Sequence, residues 1–272
     1  MQAGTSTGLG LFRQSLRIGV VLGCLALFHQ VATADELTDA LIRYALQDYA
    51  HAIALLAPLA DRGNVVAQMQ LGLIYARGEG VLRDDVTALN WLTRAAEQGQ
   101  SEAQFEVGVM HRDGLGTPID GMQALKWFER AAERGVPHAF NAIGEMYLGH
   151  RDVAQDYKVA LVWFVRGAQL DNADALYNIG VSYALGQGVE RDDIEAYKWF
   201  DLAADAGLGE VRNRAVRARQ ATSERLMPLQ VSQAKIRAQD WLRTQGTESE
   251  SLKMPIVRNR PDRPAALARH RP

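Results

Sequence analysis

The residues that most restrict this chain are those that return every 36 positions. Ala67, Ala103, Ala139 and Ala175 form one such series, and Gly72, Gly108, Gly144 and Gly180 form another. The same step links Asp84, Asp120, Asp156 and Asp192, then Ala88, Ala124, Ala160 and Ala196, and then Trp91, Trp127, Trp163 and Trp199. Four of the five tryptophans therefore share one register. A unit this short cannot close a core alone. Its apolar face must be covered by the next copy, so the chain builds a stack rather than a globule.

Each unit reads as two helices. Ala67, Leu71, Ile74 and Tyr75 recur at the spacing of one helical face, and Ala88, Trp91, Leu92, Ala95 and Ala96 form a second amphipathic stripe. Between them runs RGEGVLRD, residues 77 to 84, whose glycines suggest a phosphate loop and whose acids suggest a cation site. Neither reading fits. No strand precedes the glycines, no Lys-Ser or Lys-Thr follows them, and the acids fill too few positions of a calcium loop. Because the pattern recurs at the helix junctions, the glycines are expected to end first helices with positive φ, and the Asp84 series to cap second helices.

Other chemistry is equally sparse. His51, His111, His138, His150 and His270 include no pair at the spacing of a helical metal site. No nucleophile elbow or metalloprotease motif is present. The expectation is a protein that is not an enzyme and has neither metal nor cofactor.

Both flanks differ from the units. Residues 35–66 hold a degenerate helix pair, with Asp48, Ala52, Ala60 and Gly63 one period before Asp84, Ala88, Ala96 and Gly99. Residues 67–210 hold four 36-residue units. Residues 211–246 are polar and helical, with Pro228 placed to open a last helix carrying Val231, Ala234, Ala238 and Trp241 on one side. Such segments suit the polar ends that a stack requires. Residues 247–272 are rich in proline and charge, and a disordered basic tail is expected there.

Residues 1–34 contain Arg13 and Arg17, an apolar run from Ile18 to Phe28, no acidic residue, and then Ala32-Thr33-Ala34. A basic start, a short apolar run and a small-x-small end are the pattern of a secretory signal, cleaved here after Ala34. Cys24, the only cysteine, lies within that segment. The surrounding VLGC loosely matches a lipoprotein box, but little apolar sequence precedes it and LALF follows it, which argues against an anchor at Cys24. Cleavage leaves 28 basic against 32 acidic residues and no thiol, which disfavours nucleic-acid binding and points to a bacterial periplasm. The tail concentrates positive charge, so weak contact with anionic envelope components is a further expectation.

The units closely resemble the Sel-one-like repeat, a relative of the tetratricopeptide repeat. The residues that carry the resemblance in the last unit are Ala175, Gly180, Tyr183, Gly186, Gly188, Val189, Asp192, Ala196, Trp199, Ala203, Ala204 and Gly207. The match is strong over residues 67–207 and weak to about residue 242. Its departures are His111 for tyrosine, Thr117 for valine, His150 and Asp152 for the two turn glycines of the third unit, and Asp171 for the glycine after that unit's second helix.

The resemblance implies an all-α, right-handed α-solenoid of stacked antiparallel helix pairs whose first helices line a concave, partner-binding face. It also implies an adaptor role, with exported relatives in envelope regulation, exopolysaccharide assembly or host contact. A cysteine-rich branch is associated with β-lactams, but its disulfide pairs are missing here. Two rival readings stay open. One is an envelope hydrolase or a β-lactam or glycan binder; the other is a structural component of an exopolysaccharide export or envelope assembly.

Helical geometry then selects the residues that face a partner. At 100° per residue, Met69, Leu73 and Arg77 lie opposite Leu71 and Tyr75. Their counterparts are Phe105, Val109 and Asp113, then Asn141, Glu145 and Gly149, then Tyr177, Val181 and Leu185. With Arg112 beside them, they form a ladder suited to an extended peptide or a helix from a protein partner. Some of these side chains are alternatively expected to pack against the next unit.

Overall fold

A computed structural model describes residues 35–245. The secretory pattern, Cys24 and the 247–272 tail lie outside these residues. Among the described residues there are twelve helices and no strand, which makes the fold an all-α repeat solenoid. The N-terminal pair is α1 (residues 35–45) and α2 (Tyr49–Asp61). Four units follow: α3 (Val65–Arg77) with α4 (Asp85–Glu97), α5 (Ser101–Asp113) with α6 (Gly121–Glu133), α7 (Pro137–Gly149) with α8 (Tyr157–Ala168), and α9 (Ala173–Leu185) with α10 (Asp193–Ala206). The chain then forms α11 (Gly209–Ser223) and α12 (Pro228–Gln245). No described helix is long and apolar enough to cross a membrane.

The stacking follows chain order. Each second helix packs on its own first helix and on the first helix of the next unit, while α11 and α12 both pack on α10. The glycine in the middle of each first helix explains how close the two helices come. A Cβ at Gly108 would lie 2.6 Å from the Phe128 ring, and one at Gly180 would lie 2.6 Å from Phe200. Gly72 and Gly144 meet Leu92 and Phe164 in the same way. Phe128 and Phe164 are completely buried, so the glycine costs helix propensity and gains a filled core.

The tryptophan series links layers. Trp91 packs on the apolar cluster of α1–α3, and Trp127 on the cluster of the preceding unit. Arg94, Arg130 and Arg166 lie 4.3, 4.5 and 4.8 Å over the rings of Trp91, Trp127 and Trp163. In the last unit Lys198 takes that place over Trp199, which also meets Trp241 of α12 edge to face. Buried Gln68 and Gln104 add a polar stitch, donating to the carbonyls of Ala60 and Ala96 at the ends of the preceding helices.

The turns behave as their spacing predicts in three units. Gly78, Gly114 and Gly186 close α3, α5 and α9 in the left-handed conformation, with φ of 68°, 73° and 70°. Asp84, Asp120, Asp156 and Asp192 accept backbone N–H bonds at the starts of α4, α6, α8 and α10. Asp48 is the exception: it makes no side-chain cap bond and instead binds the His51 ring.

The third unit resolves its missing glycines by exchange. In the regular turns the second glycine sits against the start of a preceding second helix: Gly80 on Tyr49, Gly116 on Asp85, and Gly188 on Tyr157. In the third unit Asp152 stands where the glycine would be, and the helix it meets begins with Gly121. A Cβ on Gly121 would lie 2.7 Å from Nδ1 of His150 and 3.2 Å from Cβ of Asp152. The small residue has moved from the loop to the helix, which keeps the same close approach. Gly149, one position before His150, takes a positive φ of 141°, and Asp171 adopts φ 55° where Gly63, Gly99 and Gly135 adopt 90°, 91° and 81°.

Candidate partner-binding face

The candidate residues lie along the row of first helices. Arg77 and Glu145 are exposed; Met69, Leu73, Phe105, Val109, Arg112, Tyr177 and Val181 are half-buried; Asn141 is buried. Spacing places the ladder opposite the Leu71 and Tyr75 face, yet its aromatics also reach the second helix of their own unit. Phe105 packs on Phe128 of α6 at 5.6 Å between ring centres, and Tyr177 packs on Phe200 of α10 at 5.5 Å. A long ring on the flank of a first helix can reach over the intervening glycine, so these side chains are partly core.

A regular set of contacts runs between successive first helices along this face. Asn178 donates to Asn141 at 2.9 Å, and Asn141 donates to Glu145 at 2.9 Å. One period on, Arg214 of α11 stacks over Tyr177 at 4.8 Å and pairs with Asp174 at 2.8 Å. One period back, Phe105 and Ala142 belong to the same apolar cluster. Two periods back, Met69 and Glu106 hold the same register positions. Three rungs are therefore amide on amide, cation on ring and apolar on apolar, and the fourth register position holds a carboxylate and a thioether.

Other charges are locally balanced. Arg112 makes two bonds to its neighbour Asp113, at 2.7 and 2.8 Å, and Asp113 is held below the usual carboxylate range chiefly by that hydrogen bonding. An open hollow of about 490 Å³ lies between Arg112, Glu145, Met146, Leu148, Gly149 and His150. His111 replaces the tyrosine of its register; burial lowers its pKa, and the Asp120 charge opposes that effect. Among the described residues no group of three or more His, Cys, Asp or Glu could hold a metal ion.

The repeat and this geometry meet in the comparison with known proteins. The model of the Sel1 repeat matches residues 65–100, 101–136, 138–172 and 173–208. The chain belongs to the Sel1 repeat family. A solved Sel1 repeat protein from Oxalobacter formigenes is 27% identical with a TM-score of 0.58, the match covering 69% of this chain and 84% of that one. The protein c5321, a protective antigen present in uropathogenic Escherichia coli strains and displaying an SLR fold, is 25% identical with a TM-score of 0.47, over 80% of this chain and 57% of that one. No curated protein matches the chain. Sel1 repeats mediate protein–protein interaction, and the family is typically a non-catalytic scaffold.

Two features escaped the reading of residue types. The buried Gln68 and Gln104 stitches look like surface polar residues until the stack places them. The Asp152–Gly121 exchange leaves only a trace in the register, where Gly121 stands in place of Asp85, Tyr157 and Asp193, and the stack shows that its two sides meet.

Proposed function

We propose that this Sel1 repeat protein is a non-enzymatic adaptor, exported to the bacterial periplasm, that holds a peptide or helix of a protein partner along its row of first helices. The observation that carries this reading is the ladder of half-buried apolar side chains, Met69, Leu73, Phe105, Val109, Tyr177 and Val181, left on one face after the units have stacked. Surface of this kind, flanked by exposed Arg77, Glu145 and Leu185, suits anchor residues from an extended segment. The N-terminal basic and apolar pattern supports export. The role is a regulator or an assembly scaffold, and the basic tail makes at most a weak contact with anionic envelope components.

Exposed ladder positions are the right probes, because Phe105 and Tyr177 also support the core. A photo-cross-linking amino acid at Leu185 or Arg77 in the native cells is expected to attach to one protein repeatedly, whereas one at Leu82 or Val86, on the exposed turn edge, is not. Equal labelling from both surfaces, or none from the ladder, would contradict the proposal.

A further inference from the structure

Of the four rungs that join successive first helices, three are chemically matched and one is not. Asn141 meets Asn178, Tyr177 meets Arg214, and Phe105 shares a cluster with Ala142. At the same register of the first two units stand Met69 and Glu106. A methionine thioether cannot neutralise a carboxylate and accepts hydrogen bonds only weakly.

Glu106 is half-buried and forms no hydrogen bond or ion pair with the described residues. Burial raises its pKa, and the Arg77 charge acts in the opposite direction. Arg77 itself is engaged elsewhere, 3.8 Å from Glu79 and donating to the Tyr44 hydroxyl at 3.4 Å. Every other acid near the ladder has a partner: Asp113 has Arg112, Glu145 has Asn141, and Asp174 has Arg214. A half-buried carboxylate without a hydrogen-bond or ion-pair partner costs stability, and a bound cation would relieve that cost. Half-buried Phe105 and Val109 flank it on α5 and supply apolar surface but no positive charge.

We infer that Glu106 is the charged anchor of the partner-binding face, and that the segment bound there carries a lysine or arginine flanked by apolar residues. The inference rests on the groove reading above and assigns the partner's chemistry. Glu106 accepts hydrogen bonds from the ammonium or guanidinium group, while the flanking apolar residues lie on Met69 and Phe105. A charge-assisted bond formed in a partly dry site contributes more than one at the surface. The exposed Glu102, one turn earlier on α5, accepts from the Ser101 hydroxyl at 2.9 Å and serves as the control acid.

The test is a selection of 12-residue peptides displayed on phage against the described domain within the full chain, followed by calorimetric titration of the enriched peptides. Enriched sequences are expected to share one Lys or Arg between apolar residues. Glu106→Gln is expected to weaken their binding by about tenfold or more, consistent with loss of a hydrogen bond to a charged group. It is also expected to leave Tm unchanged or higher, because it removes an unmatched charge. Glu102→Gln should change affinity by less than about twofold. Peptides without a basic residue, or peptides that bind Glu106→Gln as tightly as the parent, would overturn the inference. The double variant Glu145→Lys, Leu185→Glu separates the two levels. If it blocks binding while Glu106→Gln does not, the groove reading stands and the anchor falls; if neither variant affects binding, the groove reading itself falls.

Discussion

The stacked units and the C-terminal helices are attached by different physics. Between α2 and α10 the layers are joined by buried apolar surface at glycine-permitted close approach, with Phe128 and Phe164 fully enclosed. The α11 and α12 helices carry few large buried side chains and are tied back by ions. Arg214 meets Asp174, Arg219 meets Asp201, Arg225 meets Asp193 and Arg237 meets Glu195. A repeat in the middle is covered on both sides, whereas among the described residues the last layer is covered on one, and there charge replaces burial. The row of first helices thus runs along an apolar-packed body and ends at a charge-held cap.

The largest effect that can break this contrast is removal of a buried ring from the body. Phe164→Ala should cost about 3–5 kcal/mol, measured by chemical denaturation, and should unfold its neighbours with it. A cost below about 1 kcal/mol would show that the glycine-ring packing does not hold the layers. Gly144→Ala attacks the same contact from the other side and should cost about 1–3 kcal/mol, since the new methyl enters the space of the Phe164 ring.

Next comes the exchange in the third turn. Gly121→Ala should destabilise by about 1 kcal/mol or more, because His150 and Asp152 occupy the space above it. Adding His150→Gly and Asp152→Gly should recover most of that loss, which a double-mutant cycle would reveal as coupling. Additive effects would mean that the two sides do not share the space. This exchange also shows what the sequence made legible. The period, the two-helix unit, the capping aspartates and the left-handed glycines followed from spacing alone, since each depends on local backbone chemistry. The third turn and the glutamine stitches depend on which residue of another unit lies opposite, and that is fixed only by the stacking.

The candidate face was legible to a similar depth. Residue spacing on the first helices identified the ladder, but it could not show that Phe105 and Tyr177 lean onto Phe128 and Phe200, or that Asn141 is enclosed by Asn178 and Glu145. Side-chain length and the missing Cβ of Gly108 and Gly180 decide that. The unmatched Glu106 was likewise invisible until its neighbours across the rung were known.

The smallest effects should lie in the cap. Asp193 is held below its ordinary pKa chiefly by hydrogen bonding to Arg225, with Arg191 adding to it. At Glu195 burial pushes the carboxyl up, but Lys198 and Arg237 outweigh it and lower the pKa overall. Both carboxyls therefore bind protons less readily in the folded state. Their stabilisation is present above the unfolded carboxylate range near pH 4 and is lost as pH falls through the lowered native values. Each pair contributes about 0.5–1 kcal/mol, so acid or high salt should first raise hydrogen exchange in α11 and α12 while the body stays protected. Simultaneous loss of protection in α5 and α11 would contradict the contrast.

The central claim is that partner binding belongs to the row of first helices. The most direct test is the affinity of the cross-linked partner for the parent chain, for the Glu145→Lys, Leu185→Glu variant, and for a Leu82→Glu, Val86→Glu variant on the turn edge. The account predicts at least a tenfold loss for the first variant, parent-like affinity for the second, and Tm values within a few degrees of the parent for both. Equal affinity for the parent and the ladder variant, with loss on the turn-edge variant, would place binding on the turns and contradict the account.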